Sequence, residues 1–173
     1  EESEGFTLSG KKQLVLDGGS ADHLIVVCRS SGAETDREGL SIVVVDAKAE
    51  GVIVKNNLLL DGSRAANIEF QDVVVSKEDL MGPKGQGADT LDQVYAQASV
   101  ALSAEMLGSA QTAFEMTLEY LKVREQFGAK IGSFQGLKHR ASRWFCEIEL
   151  SKSIVLKALR AIDGDDAKKD KVA

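Results

Sequence analysis

The residues best suited to chemistry lie within one short stretch. Residues 120–135 read Y-L-K-V-R-E-Q-F-G-A-K-I-G-S-F-Q and contain Arg124, Gln126, Phe127 and Gln135. A guanidinium is a planar fork that matches phosphate oxygens two at a time. Phe127 offers an aromatic face and Gln135 an amide. Each has a plainer reading: Arg124 suits the end of a helix, where the macrodipole favours a cation, and Phe127 suits a packed core. The residues alone leave both readings open.

Other candidates carry less. Asp92 and Glu105 fall in a helical pattern and read as solvated or helix-pairing carboxylates. His139, beside Arg140 in a polar stretch, reads as a solvated or structural histidine. Cys28 and Cys146 form no CxxC, and two cysteines with two histidines at unrelated spacings make no metal signature. They fit reduced cysteines of a cytoplasmic protein.

The elements that must position these groups divide near Met81-Gly82-Pro83-Lys84-Gly85-Gln86-Gly87, where the only proline falls among glycines. Before it, short β-branched runs end at turn residues: Leu14–Leu16, Leu24–Cys28, Leu40–Val45, Val52–Val54, Asn67–Gln71 and Val73–Val75. They predict an antiparallel sandwich or barrel. With no helical pattern between them, a doubly wound parallel sheet is not expected. After Gly87 the period turns helical. One apolar stripe runs Leu91, Val94, Tyr95, Ala98, Leu102, Met106, Phe114, Leu118, Leu121 and ends near Arg124. A second runs from Phe134 through Leu137, Ala141, Trp144, Ile148, Ser151, Val155 and Leu159 to Ile162, with Gly164 as its stop. Both stripes read as bundle packing, Trp144 included. The fold class is α+β: a β part over residues 1–84, then part of an up-down bundle over 85–173. The charged residues 165–173 look like the start of a further element.

The chain has 173 residues, 43% of them hydrophobic, and a net charge of −6. An acidic chain gains nothing from a phosphate backbone, so nucleic acid is not an expected partner. No run of 18 apolar residues predicts a membrane span. The acidic start at Glu1 does not read as a signal peptide.

The 120–135 stretch resembles the R-x-Q-F-G-x-x-I-x-x-F-Q signature of acyl-CoA dehydrogenases, in the bacterial branch that continues F-Q-x-L-x-H-R-x-A, here through Leu137, His139, Arg140 and Ala141. The β part carries further family pieces in order: Leu8-Ser9-Gly10-Lys11-Lys12, Ala21-Asp22, Gly39-Leu40-Ser41, Gly51-Val52, Asp61-Gly62-Ser63-Arg64-Ala65-Ala66 and Phe70-Gln71-Asp72-Val73. The resemblance covers essentially the whole chain. It places residues 1–84 in the family's β middle domain and 85–173 in the first half of its C-terminal bundle.

The resemblance implies FAD as cofactor, an acyl-CoA substrate, α,β-dehydrogenation, an electron-transfer acceptor protein and a homo- or hetero-oligomer. It puts Arg124, Gln126, Phe127 and Gln135 at the FAD, the Arg and Gln matching positions that contact the neighbouring subunit's flavin. Two departures accompany it. Leu14 and Leu16 stand where many members hold an aromatic and a hydroxyl residue against the flavin. Ala98 stands where some members hold the catalytic base, so no catalytic residue is assigned in this chain. A non-catalytic partner subunit of a heteromeric dehydrogenase is therefore the alternative. A free-standing interaction module would leave a bundle face exposed.

Overall fold

The structure, a computed structural model, describes residues 5–164. It falls into two compact units, described over residues 5–91 and 92–164. The first unit is built from β1 (Phe6–Leu16), β2 (His23–Arg29), β3 (Leu40–Asp46), β4 (Val52–Leu58) and β5 (Arg64–Val75). All pairing between these strands is antiparallel: one sheet runs β1-β5-β4 and the other pairs β2 with β3. Leu24 and Val26 of β2, Val43 and Val45 of β3, and Ala66, Ile68, Phe70, Val73 and Val75 of β5 share one buried cluster. The two sheets thus bury their apolar faces together, the sandwich-like arrangement expected of strands with period-2 patterning.

Two irregularities let long strands keep that face inward. On β5 the residues in the core cluster are Ala66, Ile68 and Phe70, then Val73 and Val75, so the parity changes. The pairing register with β1 slips there, between Leu8↔Val73 and Gly10↔Phe70. Asp72 takes a φ of 51° in the bulge. Its carboxylate accepts a 2.8 Å hydrogen bond from the Ser9 hydroxyl. One inserted residue flips every later side chain, and the valines resume on the core side. What the sequence shows as two short runs is therefore one strand. β1 slips in turn between Lys12 and Val15, where Leu14 takes a φ of 52° and donates its N–H to Asn67 Oδ1 at 3.0 Å.

The second unit contains most of α1 (Ala88–Val123), a small hairpin of β6 (Glu125–Gln126) and β7 (Ala129–Lys130), a 3₁₀ turn at Ile131–Ser133, and α2 (Gln135–Asp163). Phe114 meets Trp144 edge-on at 5.2 Å between centroids, while Leu118 and Leu121 share a hollow with Ala141, so the helices pack antiparallel. Gly132 allows the closest approach: a Cβ there would lie 2.7 Å from the Leu121 carbonyl oxygen. α2 follows its predicted stripe, with Leu137, Ala141, Trp144, Ile148, Val155, Leu159 and Ile162 buried or half-buried, and Gly164 donates its N–H to Arg160 O. Two predicted members depart from it: Ser151 is exposed, and Phe134 is the N-cap residue rather than part of the helix.

α1 corrects its expectation. Its inward residues are Val100, Ala104, Leu107, Phe114, Leu118 and Leu121. Val94, Tyr95, Leu102 and Met106, read as the same stripe, are exposed on the opposite side. The single stripe is two apolar faces, the pattern of a helix enclosed from two directions. Residues 165–173 lie outside the described residues. Among the described residues no helix is long and apolar enough to cross a membrane.

Candidate functional site

The corner between α1 and α2 is where the chemistry-bearing residues meet. Glu125 pairs with Lys130 and Gln126 with Ala129, leaving Phe127-Gly128 as a two-residue loop. Both loop residues have positive φ, 55° and 72°. Hairpins of this length favour type I′ turns, which need that geometry at both positions because it matches the twist of the strands. Glycine meets it freely. Phenylalanine does not, and the left-handed region costs an L-residue about 1–2 kcal/mol. Phe127 is nevertheless 94% exposed, so no core burial offsets the strain. Its ring meets that of Phe134 edge-on, with centroids 6.2 Å apart.

Arg124 precedes the hairpin. Its N–H bonds to Tyr120 O and its carbonyl accepts from Ile131 N–H at 2.9 Å, tying the start of the hairpin to its end. Its side chain is exposed, and among the described residues its guanidinium makes no ion pair or hydrogen bond. It does not cap α1. Gln126 turns its amide back to Glu125 O at 2.7 Å. Gln135 opens α2 beside Phe134 and is exposed. The Phe127–Phe134 contact thus brings the hairpin tip to the start of α2, joining all four residues predicted from the sequence in one corner. Sequence reading did not single out Phe134 as a ring partner; the signal was an aromatic directly before a helix start.

The same corner holds a hollow of about 540 Å³ lined by Leu118, Leu121 and Ala141 with Lys122, Lys130 and Lys138, and by no carboxylate. Lys122 is paired with Glu119. The corner therefore carries a hollow rimmed by lysines within an acidic chain, near the Arg124 guanidinium, unpaired among the described residues, and the projecting Phe127 ring, although none of the four predicted residues lines the hollow itself. That donor set fits the anionic pyrophosphate and flat rings of a dinucleotide.

The β unit is less welcoming. Leu14 and Leu16 are 61% and 68% exposed and form an apolar ledge. The Leu14 N–H is already held by Asn67. The ledge can wall a flat ring, but these side chains donate no hydrogen bond to it. Ala98 is exposed on α1, and Glu105 lies seven residues on, hence on the same face. Asp92 and His139 are exposed as well. Burial pushes the Cys28 thiol up, against a smaller lowering by Lys12, which disfavours its thiolate form. Among the described residues, no group of three His, Cys, Asp or Glu could hold a metal ion. Arg29, which sequence reading passed over, donates to the carbonyls of Ser31, Glu34, Asp36 and Glu38 and so shapes the loop between β2 and β3.

Comparison with known proteins places the chain in a family. Residues 1–73 match the acyl-CoA dehydrogenase middle domain, and residues 85–173 match the acyl-CoA dehydrogenase C-terminal domain. The chain belongs to the acyl-CoA dehydrogenase family. It is 27% identical over 161 residues to the bovine (Bos taurus) mitochondrial short/branched chain specific acyl-CoA dehydrogenase, covering 91% of this chain and 37% of that one. It is 26% identical over 161 residues to the caffeyl-CoA reductase-Etf complex subunit CarC of Acetobacterium woodii, covering 91% and 42%. The structure of PigA with FAD and proline superposes with a TM-score of 0.88 at 27% identity, covering 96% of this chain and 45% of that one. The chain spans less than half the length of each.

Proposed function

We propose that this chain is part of a FAD-dependent acyl-CoA dehydrogenase, an oxidoreductase acting on acyl-CoA thioesters, and that Arg124, Gln126, Phe127 and Gln135 contact the FAD across a subunit interface. The observation that carries the reading is the strained hairpin, which holds Phe127 in solvent beside an unpaired guanidinium. Strain held without burial points to a contact made outside the chain. PigA, similar in fold, was solved with FAD, and CarC belongs to a reductase–Etf complex; both support a flavin and an electron-transfer partner protein here.

FAD, when bound, supplies the hydride acceptor. The chain's own residues bind and orient. Arg124 matches the pyrophosphate charge, Phe127 and Phe134 offer edges and faces to the adenine, and Gln126 and Gln135 offer amides. Removal of an α-proton requires a positioned base. Ala98 cannot serve, so the base lies outside these residues or on another subunit.

A non-catalytic partner subunit is the second reading. The bare face around Ala98 and the apolar ledge of Leu14 and Leu16 favour it. The test is a flavin spectrum and an assay of the whole purified protein against a panel of acyl-CoAs with an artificial electron acceptor. Bound flavin with turnover supports the enzyme. Turnover only after a second subunit is added supports the partner reading, and absence of bound flavin in every assembly rejects both.

A further inference from the structure

The second bulge of β1 has a partner with more to offer than the strand uses. Between Lys12↔Ile68 and Val15↔Ala66, two residues of β1, Gln13 and Leu14, stand opposite the single residue Asn67 of β5. Bulges of this kind re-aim side chains and recur beside active sites. Ala66 and Ile68 belong to the core cluster, so Asn67 between them faces outward, and it is exposed. Val15 packs against the same cluster, which puts Leu14 and Leu16 on the outward face as well. The leucine ledge and the Asn67 amide therefore share one surface.

The hydrogen bond at the bulge fixes which end of that amide is free. The Leu14 N–H can only donate, so it takes the Asn67 oxygen, at 3.0 Å. The NH2 group is left over, and among the described residues it has no partner. Leu14 holds a φ of 52° there, a left-handed conformation that costs about 1–2 kcal/mol. Strain of this kind persists where the surroundings impose it and collects at ligand sites. Here it accompanies an exposed apolar wall and a donor held in one orientation.

We propose that the Asn67 NH2 group is the hydrogen-bond donor to the flavin ring, supplying what the leucine ledge lacks. The inference rests on the flavin reading above and deepens it. An isoalloxazine is flat and bears carbonyl oxygens and unprotonated nitrogens along one edge. Leu14 and Leu16 match its face, and the Asn67 donor matches that edge. The donor is oriented in advance, so little reorganisation opposes the bond when the ring arrives.

The plainer role of Asn67 is to hold the bulge, and two substitutions separate the roles. Asn67→Asp keeps an oxygen for the Leu14 N–H and removes the donor, whereas Asn67→Ala removes both. In the whole natural protein, N67D should keep the slow exchange of the Leu14 amide. It should weaken FAD about tenfold in equilibrium dialysis and shift the visible absorption band of the flavin still bound. N67A should show the same flavin effects, with the Leu14 amide also exchanging about tenfold faster. Wild-type flavin affinity and spectrum in folded N67D overturn the inference and leave the flavin reading standing. A second measurement needs no variant: the Asn67 side-chain NH2 resonances of the nitrogen-labelled protein should move on FAD binding, and unmoved resonances overturn the inference. An unsubstituted protein that binds no flavin in any assembly overturns the flavin reading and this inference with it.

Discussion

Phe127 is the residue on which the site can be judged separately from the fold. A buried phenylalanine typically costs 3–5 kcal/mol when truncated, about the scale of a core defect. Here strain and exposure point the other way. Phe127→Gly relieves about 1–2 kcal/mol of left-handed strain, loses an edge contact worth about 0.5–1.5 kcal/mol and adds about 0.5–1 kcal/mol of chain entropy to the unfolded state. Stability should therefore change by less than about 1 kcal/mol in denaturant unfolding, while FAD retention falls. A loss on the scale of a core truncation would make Phe127 a packing residue and remove the argument from strain.

A second residue-scale prediction concerns acid. The Asp79 carboxyl sits below the usual carboxylate range because it accepts hydrogen bonds from the Ser76 hydroxyl and then from the Ser76 N–H, at 2.7 and 2.9 Å. A pKa lowered by folding means that the bond stabilises the fold above the unfolded carboxylate's pKa. That contribution is lost as pH falls through the lowered folded value. Asp79 leads into Leu80 and Met81, which hold the edge of β3 through Val43 and Ile42. Ser76→Ala should raise the Asp79 pKa toward its ordinary value, followed by NMR titration. An unmoved pKa would show that the capping bonds do not control it.

At the scale of elements, the helix pair is pinned by Phe114, only 7% exposed, against Trp144. Phe114→Ala should cost about 3–5 kcal/mol; thermal unfolding of the second unit checks it, and a loss below about 1 kcal/mol would mean the pair is held elsewhere. The elements also show what a sequence can reveal. β-branched runs located β2 and β3 nearly to the residue, β3 being buried on both faces, and the stripe with Gly164 located α2, which buries one. β1 was legible only at Leu14–Leu16, since its first half mixes Ser9, Gly10, Lys11 and Lys12. β5 was split because its bulge at Asp72 depends on a partner, Ser9, that is 63 residues away in sequence. The two faces of α1 merged into one stripe because apolar residues recur on both, and periodicity alone cannot say which face a neighbour covers. The site followed the same rule. Residues Arg124 to Gln135 were legible through their family signature, whereas the left-handed Phe127 and the Phe134 contact belong to the hairpin and appear only with it.

At the scale of the whole molecule, α1 bears exposed Val94, Tyr95, Leu102 and Met106 opposite its buried face, and Ala98 lies among them. The 173 residues should have no dehydrogenase activity. A missing general base alone costs about 10²–10⁴-fold, and neither Leu14 nor Leu16 offers its side chain as a hydrogen-bond donor to a flavin. The check is incubation with FAD, acyl-CoAs and an artificial acceptor. Turnover above the free-flavin background would show that a base is present after all, and Glu105, on the face of Ala98, and Asp92 would be the first positions to change. If the whole protein is active while these residues are not, the base lies elsewhere in it.

The account's central claim is that the hairpin corner holds FAD, and FAD retention by the whole natural protein carrying Arg124→Ala measures it most directly. The Arg124 side chain is exposed and pairs with nothing among the described residues, and its backbone bonds survive a change to alanine, so the substitution should leave the fold intact, as circular dichroism checks. Loss of a charge-assisted contact of about 1.5–3 kcal/mol weakens binding roughly tenfold to a hundredfold. Equilibrium dialysis should show that weakening, with Gln135→Ala moving affinity in the same direction by less. Wild-type flavin affinity in the folded Arg124→Ala protein would contradict the claim.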